Sequence, residues 1–327
     1  MADNKKQQHF PSQDYVVIRI NSLHPSEPIP FDIFVEIGDH FVHYLRAGDT
    51  LTAEKLKKFE NKAPDSFYIK TKDRQIYRDY IQGRLNSEKL NTHEKALILH
   101  ESSLAIVQDL FENPDIGQAL QNSKEVITNF IGFMDDEPTA MAELLGLSKH
   151  DFYTFNHSLD VSIYSLGLGS ALGYSGDELK ELGEGALFHD IGKRHVNIDI
   201  ITKDGPLTDM EWAQMKKHPE YGLLILNQFD DELISNNIRA CCFEHHESFL
   251  GNGYPQGLAG DEIHPMARIV ALTDTFDALT TKRSYNEPMM PADALNFIKE
   301  KLKARYDKDV LEAMYSILFK MSADKAG

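Results

Sequence analysis

Apolar residues recur with two different periods along this 327-residue chain. Near the N-terminus they form short β-branched and aromatic runs. Tyr15-Val16-Val17-Ile18-Arg19-Ile20, closed by Asn21-Ser22, reads as a strand. Phe31 to Ile37 and His40 to Leu45 flank Gly38-Asp39 and read as a hairpin. A polar helix over Ala53 to Phe59 and a strand over Phe67 to Lys70 follow. Together, residues 14–85 read as a small α/β domain behind a polar tail, residues 1–13. That domain carries no motif with chemistry, and its expected role is sensing or docking.

From Asn91 the apolar spacing becomes helical. His93 to Phe111, Ile116 to Met134 and Thr139 to Leu147 read as helices within a linking segment, residues 86–149. Residues 150–322 are patterned as helices almost throughout. Phe152 to Leu172 is one. Ser175 and Glu178 have capping-box spacing, so the next helix starts there and runs into His189. Thr208 should cap a helix over Asp209 to Lys217. Further helices are expected over Tyr221 to Phe229, Leu233 to His246, Ile263 to Leu279 with Pro265 in its first turn, Pro291 to Arg305, and Asp309 to Met321. The expected fold class is α+β overall, an all-α helical bundle preceded by the small α/β domain.

Composition narrows the functions open to this fold. Apolar content of 42% and charged content of 26% are those of an ordinary globular chain and argue against disorder. A formal net charge of -17 disfavours DNA, RNA and anionic membranes as partners. It leaves room for a small phosphorylated substrate, because bound metal can reverse the local field. The cysteines, Cys241 and Cys242, are adjacent and cannot readily pair, which fits a reducing compartment. With no signal-peptide core and no apolar run of about 18 residues, the expectation is a cytoplasmic protein without membrane insertion.

The chemistry gathers around Gly185-Ala186-Leu187-Phe188-His189-Asp190-Ile191-Gly192-Lys193. A small, apolar run ends in an imidazole, a carboxylate and, shortly after, a compact cation. Downstream stand His218, the pair His245-His246, and Asp274 with Asp277; upstream stands His157. Each lies on or at the end of a predicted helix, and helices facing a common centre build metal sites. Imidazole and carboxylate without thiolate favour a hard or borderline ion over structural zinc. Two such ions about 3.5–4 Å apart can activate water and stabilise phosphoryl charge. Asp274 and Asp277 share a helix face amid apolar neighbours, where a solvated acidic edge is hard to arrange. The other nine histidines carry no such context.

Taken in order, His189-Asp190-Ile191-Gly192-Lys193, Leu207-Thr208 with Glu211 and His218, His245-His246-Glu247, Gly251-Asn252-Gly253-Tyr254-Pro255, and Asp274 to Thr280 with Arg283 and Tyr285 resemble the HD-GYP domain. This is a branch of the HD metal-dependent phosphohydrolases, and the resemblance covers residues 150–322. It implies hydrolysis of cyclic di-GMP to pGpG or GMP by a metal-activated hydroxide. It implies one divalent ion held by His157, His189, Asp190 and Asp274, with Asp190 bridging to a second held by His218, His245 and His246. The metal is expected to be iron, with manganese as the alternative. Lys193 would touch the scissile phosphate, and Tyr254, Asp277 and Arg283 would position the nucleotide. The Gly-Tyr-Pro loop would also offer a docking surface for GGDEF-domain cyclases.

The chain departs from the family pattern at four places. Tyr153 stands where three-metal members carry Glu, so two metals are expected. Leu250 replaces an Asp before the Gly-x-Gly-Tyr-Pro motif. Arg283-Ser284-Tyr285-Asn286 replaces Arg-Pro-Tyr-Lys and removes a cation. Arg194-His195-Val196-Asn197 replaces an apolar, Gly-containing stretch. The ligand set is complete while the nucleotide contacts are thinned. The alternatives are therefore a weak or inactive domain acting as a cyclic di-GMP receptor or docking module, or a phosphohydrolase for another substrate.

Overall fold

The computed structural model describes residues 14–23, 27–38, 40–52, 67–137, 139–147, 154–282 and 287–324. The chain divides into two compact units, Met1–Pro114 and Asp115–Gly327.

In the first unit, β1 (Tyr15–Ile18), β2 (Ile33–Ile37), β3 (His40–Leu45) and β4 (Phe67–Lys70) form one antiparallel sheet in the order β1-β4-β2-β3. The expected hairpin is present, pairing Val35 with Val42 and Glu36 with Phe41. Gly38 turns it at a φ of 62°, a left-handed value that suits glycine. The first strand is shorter than its β-branched run. After Ile18 the chain enters a 3-10 turn, Ile20–Ser22, where the Ser22 hydroxyl lies 2.6 Å from the Arg19 carbonyl and 2.8 Å from the Tyr77 hydroxyl. Helices α1 (Arg74–Leu85) and α2 (Thr92–Glu112) complete the unit. Tyr77 and Ile81 of α1 pack on Ile18, Phe31, Ile33 and Phe67 of the core. The helix expected over Ala53 to Phe59 lies outside the described residues.

The second unit is helical: α3 (Ile116–Asp136), α4 (Ala140–Leu147), α5 (Thr154–Ala171), α6 (Gly176–Phe188), α7 (Ile198–Ile201), α8 (Asp209–Met215), α9 (His218–Leu226), α10 (Asn236–Glu244), α11 (Pro265–Thr280), α12 (Pro291–Phe297) and α13 (Lys308–Asp324). Helix α5 is apolar or small nearly all round and is buried from His157 to Gly169. It packs on α6 and α11, and α10 packs on α6, α9 and α11. These contacts bring α5, α9, α10 and α11 and the end of α6 around a common point.

Local signals account for most helix starts. Thr208 and Glu211 form the expected capping box of α8, and Pro265 opens α11. Ser175 is a different case. It precedes α6 as expected, but its side chain makes no capping bond. Gly176 follows it at a φ of 55°, outside the geometry that aims a capping hydroxyl at the first turn. Helix α9 begins earlier than its apolar period indicates, because Pro219 is suited to a first turn that starts at His218. The helix expected from Pro291 to Arg305 ends at Phe297, and a π turn and a 3-10 turn carry the chain to Arg305. Among Lys299 to Lys303 every charged side chain is exposed, so little holds that stretch to the core.

Candidate metal centre

His157 lies on α5, His189 and Asp190 directly follow α6, His218 opens α9, His245 and His246 follow α10, and Asp274 and Asp277 lie on α11. The chain leaves α6 in a 3-10 turn, Ile191–His195, that folds Lys193 back on Asp190. Lys193 Nζ donates to Asp190 Oδ2 at 2.5 Å. Gly192 makes the turn possible. A Cβ there would lie 1.9 Å from the His218 carbonyl oxygen and 2.4 Å from Gly222 N, so only glycine lets the turn lie against α9.

Backbone carbonyls set the tautomers of three histidines. His189 Nδ1 lies 2.7 Å from Ala186 O, His218 Nδ1 2.8 Å from Met215 O, and His245 Nδ1 2.9 Å from Cys242 O. A carbonyl only accepts, so each Nδ1 carries the proton and each Nε2 presents a lone pair. His189 Nε2 is buried with no hydrogen-bond partner. His218 Nε2 and His245 Nε2 face each other at 3.2 Å. Two bare lone pairs at that distance repel unless a cation lies against both. Burial pushes the His218 imidazole down to about 4 and His246 to about 3, and holds His245 well below its usual range. All three are therefore neutral, as ligation requires, at physiological pH.

The carboxylates link these imidazoles. Asp190 Oδ1 is 3.2 Å from His218 Nε2, while Oδ2 lies 3.4 Å from His189 Nε2 and 3.7 Å from His157 Nε2. Burial alone would raise the Asp190 carboxyl, but the Lys193 ammonium and His189 outweigh it and hold it well below the usual range. Asp274 Oδ1 is 3.1 Å from His157 Nε2, and Oδ2 is 3.8 Å from His246 Nδ1. Asp274 is likewise held low, burial being outweighed by its bond to His157.

His157 shifts the other way. Burial would lower it, but Asp274 and Asp277 raise it to about 9. It therefore keeps its second proton through neutral pH in the metal-free site, and an ion bound by His157 would have to displace that proton. We expect Mn²⁺ affinity to rise about tenfold per pH unit between pH 6.5 and 8.5, as one-proton linkage requires. A pH series of calorimetric titrations checks this; a flat dependence would show that His157 binds no metal.

Three ligand groups emerge: His218, His245 and His246; His157, His189 and Asp274; and His189, Asp190 and His245. Within each, the ligand atoms lie within 4.8 Å of one another. The third group shares His245 with the first and His189 with the second, and Asp190 within it faces His218 of the first and His189 of the second. Among the described residues no further histidine enters such a group, and both cysteines remain free thiols outside it. The donor set, the unpartnered His189 nitrogen and the facing imidazoles fit divalent metal. A divalent ion held there supplies Lewis acidity toward a phosphoryl oxygen.

Two residues depart from the sequence expectation. Asp277, expected against the nucleotide, is fully buried; its Oδ2 lies 2.6 Å from His157 Nδ1, and its Oδ1 accepts from the Thr281 hydroxyl at 3.1 Å. It orients His157 from behind, because helical spacing from Asp274 turns it inward. Glu247 was part of a motif without an assigned role. Its buried carboxylate accepts from the backbone N–H groups of Gln256, Gly257 and Leu258 at 2.7 to 3.1 Å. It thus clamps the Gly-Tyr-Pro loop to the end of α10. The available signal was an acid placed directly between two site motifs. A Cβ at Gly253 would lie 2.6 Å from His246 O, so this loop also needs glycine to pass the ligands. The Tyr254 ring then sits 4.7 Å from the His246 ring. Burial raises its phenol, which stays a hydrogen-bond donor at neutral pH. Arg283 and Tyr153 lie outside the described residues.

These features are those of a candidate helical metal centre of the His-Asp type. The HD domain family model matches residues 140–310, and the chain belongs to that family. The Gly251-Asn252-Gly253-Tyr254-Pro255 loop beside His246 is the motif by which the sequence resembles the HD-GYP branch. It is 31% identical over 220 residues to a cyclic di-GMP phosphodiesterase of Pseudomonas aeruginosa, covering 67% of this chain and 52% of the relative. It is 30% identical over 225 residues to a 3'3'-cGAMP-specific phosphodiesterase of Vibrio cholerae, covering 65% and 48%. A cyclic di-GMP phosphodiesterase of Thermotoga maritima is 30% identical over 199 residues, covering 60% and 53%. The chain thus spans about half the length of the curated relatives it matches. An HDG"Y"P protein from Bdellovibrio bacteriovorus superposes with a TM-score of 0.72 at 24% identity, covering 93% of this chain and 99% of that one, which shows a shared fold. No described helix is long and apolar enough to cross a membrane.

Proposed function

We propose that the protein is a metal-dependent phosphodiesterase that hydrolyses cyclic di-GMP to pGpG, with GMP as a further product. The observation that carries this is Asp190 standing between two histidine-rich ligand groups, its two oxygens facing His218 and His189, with Lys193 2.5 Å from its carboxylate. That spacing supports two divalent ions, iron or else manganese, with His157, His189 and Asp274 on one and His218, His245 and His246 on the other. Lys193 binds a non-bridging oxygen of the scissile phosphate and offsets its charge as the transition state forms. Tyr254 positions the nucleotide beside His246, and Arg283 is assigned the same role by its motif. The names of the relatives support a cyclic dinucleotide as substrate. A cytoplasmic location suits this reading and the two free thiols. The Gly-Tyr-Pro loop, with Leu250 57% exposed beside it, is proposed to dock GGDEF-domain cyclases.

The Lys193→Met variant tests the site. We expect kcat for cyclic di-GMP to fall about a hundredfold, as for loss of one oxyanion donor, with metal content unchanged. Assays on cyclic di-GMP and 3'3'-cGAMP side by side test the substrate. Cleavage of neither by wild-type protein would overturn the proposal.

A further inference from the structure

The substrate proposed above carries two phosphodiesters. Only one can lie at the ligand groups with Lys193. The other must find its own counter-charge on a protein whose net charge is -17. A cation near the centre but away from Lys193 would fill that need.

Lys216 has this placement. It caps the C-terminal end of α8, two residues before His218, and is half-buried. Its ammonium stands over the Tyr254 ring, 5.9 Å from the centroid. The same ring lies 4.7 Å from His246. Lys216 therefore reaches the centre by way of Tyr254, whereas Lys193 reaches it through Asp190. Its charge is also uncommitted. Lys193 pairs with Asp190 and Lys203 with Glu211, but among the described residues no carboxylate pairs with Lys216. A lysine held on an aromatic face keeps its charge and donors available to an anion.

We infer that Lys216 binds the phosphate of the cyclic dinucleotide that is not being cleaved, fixing the substrate across Tyr254. This rests on the phosphodiesterase reading of the site. It makes Lys216 a substrate-binding residue that acts on affinity and leaves the bond-breaking step to the metal ligands and Lys193. It also separates substrates by their chemistry. A compound with two phosphates uses Lys216, and a compound with one phosphodiester does not.

The experiment compares wild-type protein, Lys216→Met and Lys216→Arg on cyclic di-GMP and on bis(p-nitrophenyl) phosphate, with metal content measured on each sample. For Lys216→Met we expect KM for cyclic di-GMP to rise about tenfold, the scale of one charge contact. Its kcat, its metal content and its turnover of the single phosphodiester should stay within twofold. Lys216→Arg should restore the KM. An equal loss on both substrates, or lost metal, would overturn the inference in favour of a structural role. So would an unchanged KM in Lys216→Met beside an active wild type, which would leave the phosphodiesterase reading standing. Wild-type protein that cleaves the single phosphodiester but neither binds nor cleaves cyclic di-GMP would overturn both.

Discussion

Asp190→Asn is expected to remove hydrolysis and most bound metal together. Asp190 is 1% exposed, and its two oxygens face histidine nitrogens of different ligand groups. The amide keeps the volume but loses the charge, and its NH2 can only donate toward Nε2 lone pairs that need a cation. It also leaves Lys193 without its counter-ion at 2.5 Å, in a site where an unpaired charge is costly. We expect at least about a thousandfold loss of turnover, the upper range for removing a stabilising group, with additional loss from the missing metal. Elemental analysis and turnover on one sample check this. Full metal content in the variant would mean that Asp190 bridges nothing.

Gly192→Ala should act with comparable force through the backbone. The added carbon would overlap the His218 carbonyl at 1.9 Å and Gly222 N at 2.4 Å, and neither can rotate away as a side chain would. The turn must separate from α9, carrying Lys193 and Asp190 from His218. Overpacking against fixed backbone costs about 3 kcal/mol or more. For a unit of this size that corresponds to a fall in Tm of about 6–12 °C. Thermal unfolding with saturating Mn²⁺ should show the fall together with weakened metal binding. An unshifted Tm would mean that α9 and the turn are not held together as described.

What made the site legible was metal-ligating chemistry that repeats on or at the ends of the helices. His189, Asp190, His245 and His246 stand where an apolar helical run stops, His218 stands where one begins, and Asp274 interrupts one, so their convergence could be argued before any geometry. The β2–β3 hairpin and the Thr208 cap were equally open to reading, because glycine turns and capping boxes act over four residues. Effects that depend on a partner distant in sequence were not legible. Asp277 looks like a cleft residue until α11 is laid against α5 and its carboxylate meets His157, 120 residues away. Glu247 gains its role from a loop that must first fold back onto it. Ser175 satisfies the spacing of a cap, yet the backbone at Gly176 decides the matter. The same holds for Lys216, which sequence gives no reason to separate from Lys217 until Tyr254 lies beneath it.

The most direct test of the central claim is cyclic di-GMP turnover by anaerobically purified protein, with metal content determined on the same sample. The account predicts linear pGpG at about two metals per chain, as a binuclear site requires, and loss of both turnover and metal on chelation. Two metals per chain without turnover would contradict the enzymatic reading. Turnover that survives complete removal of metal would contradict the site itself.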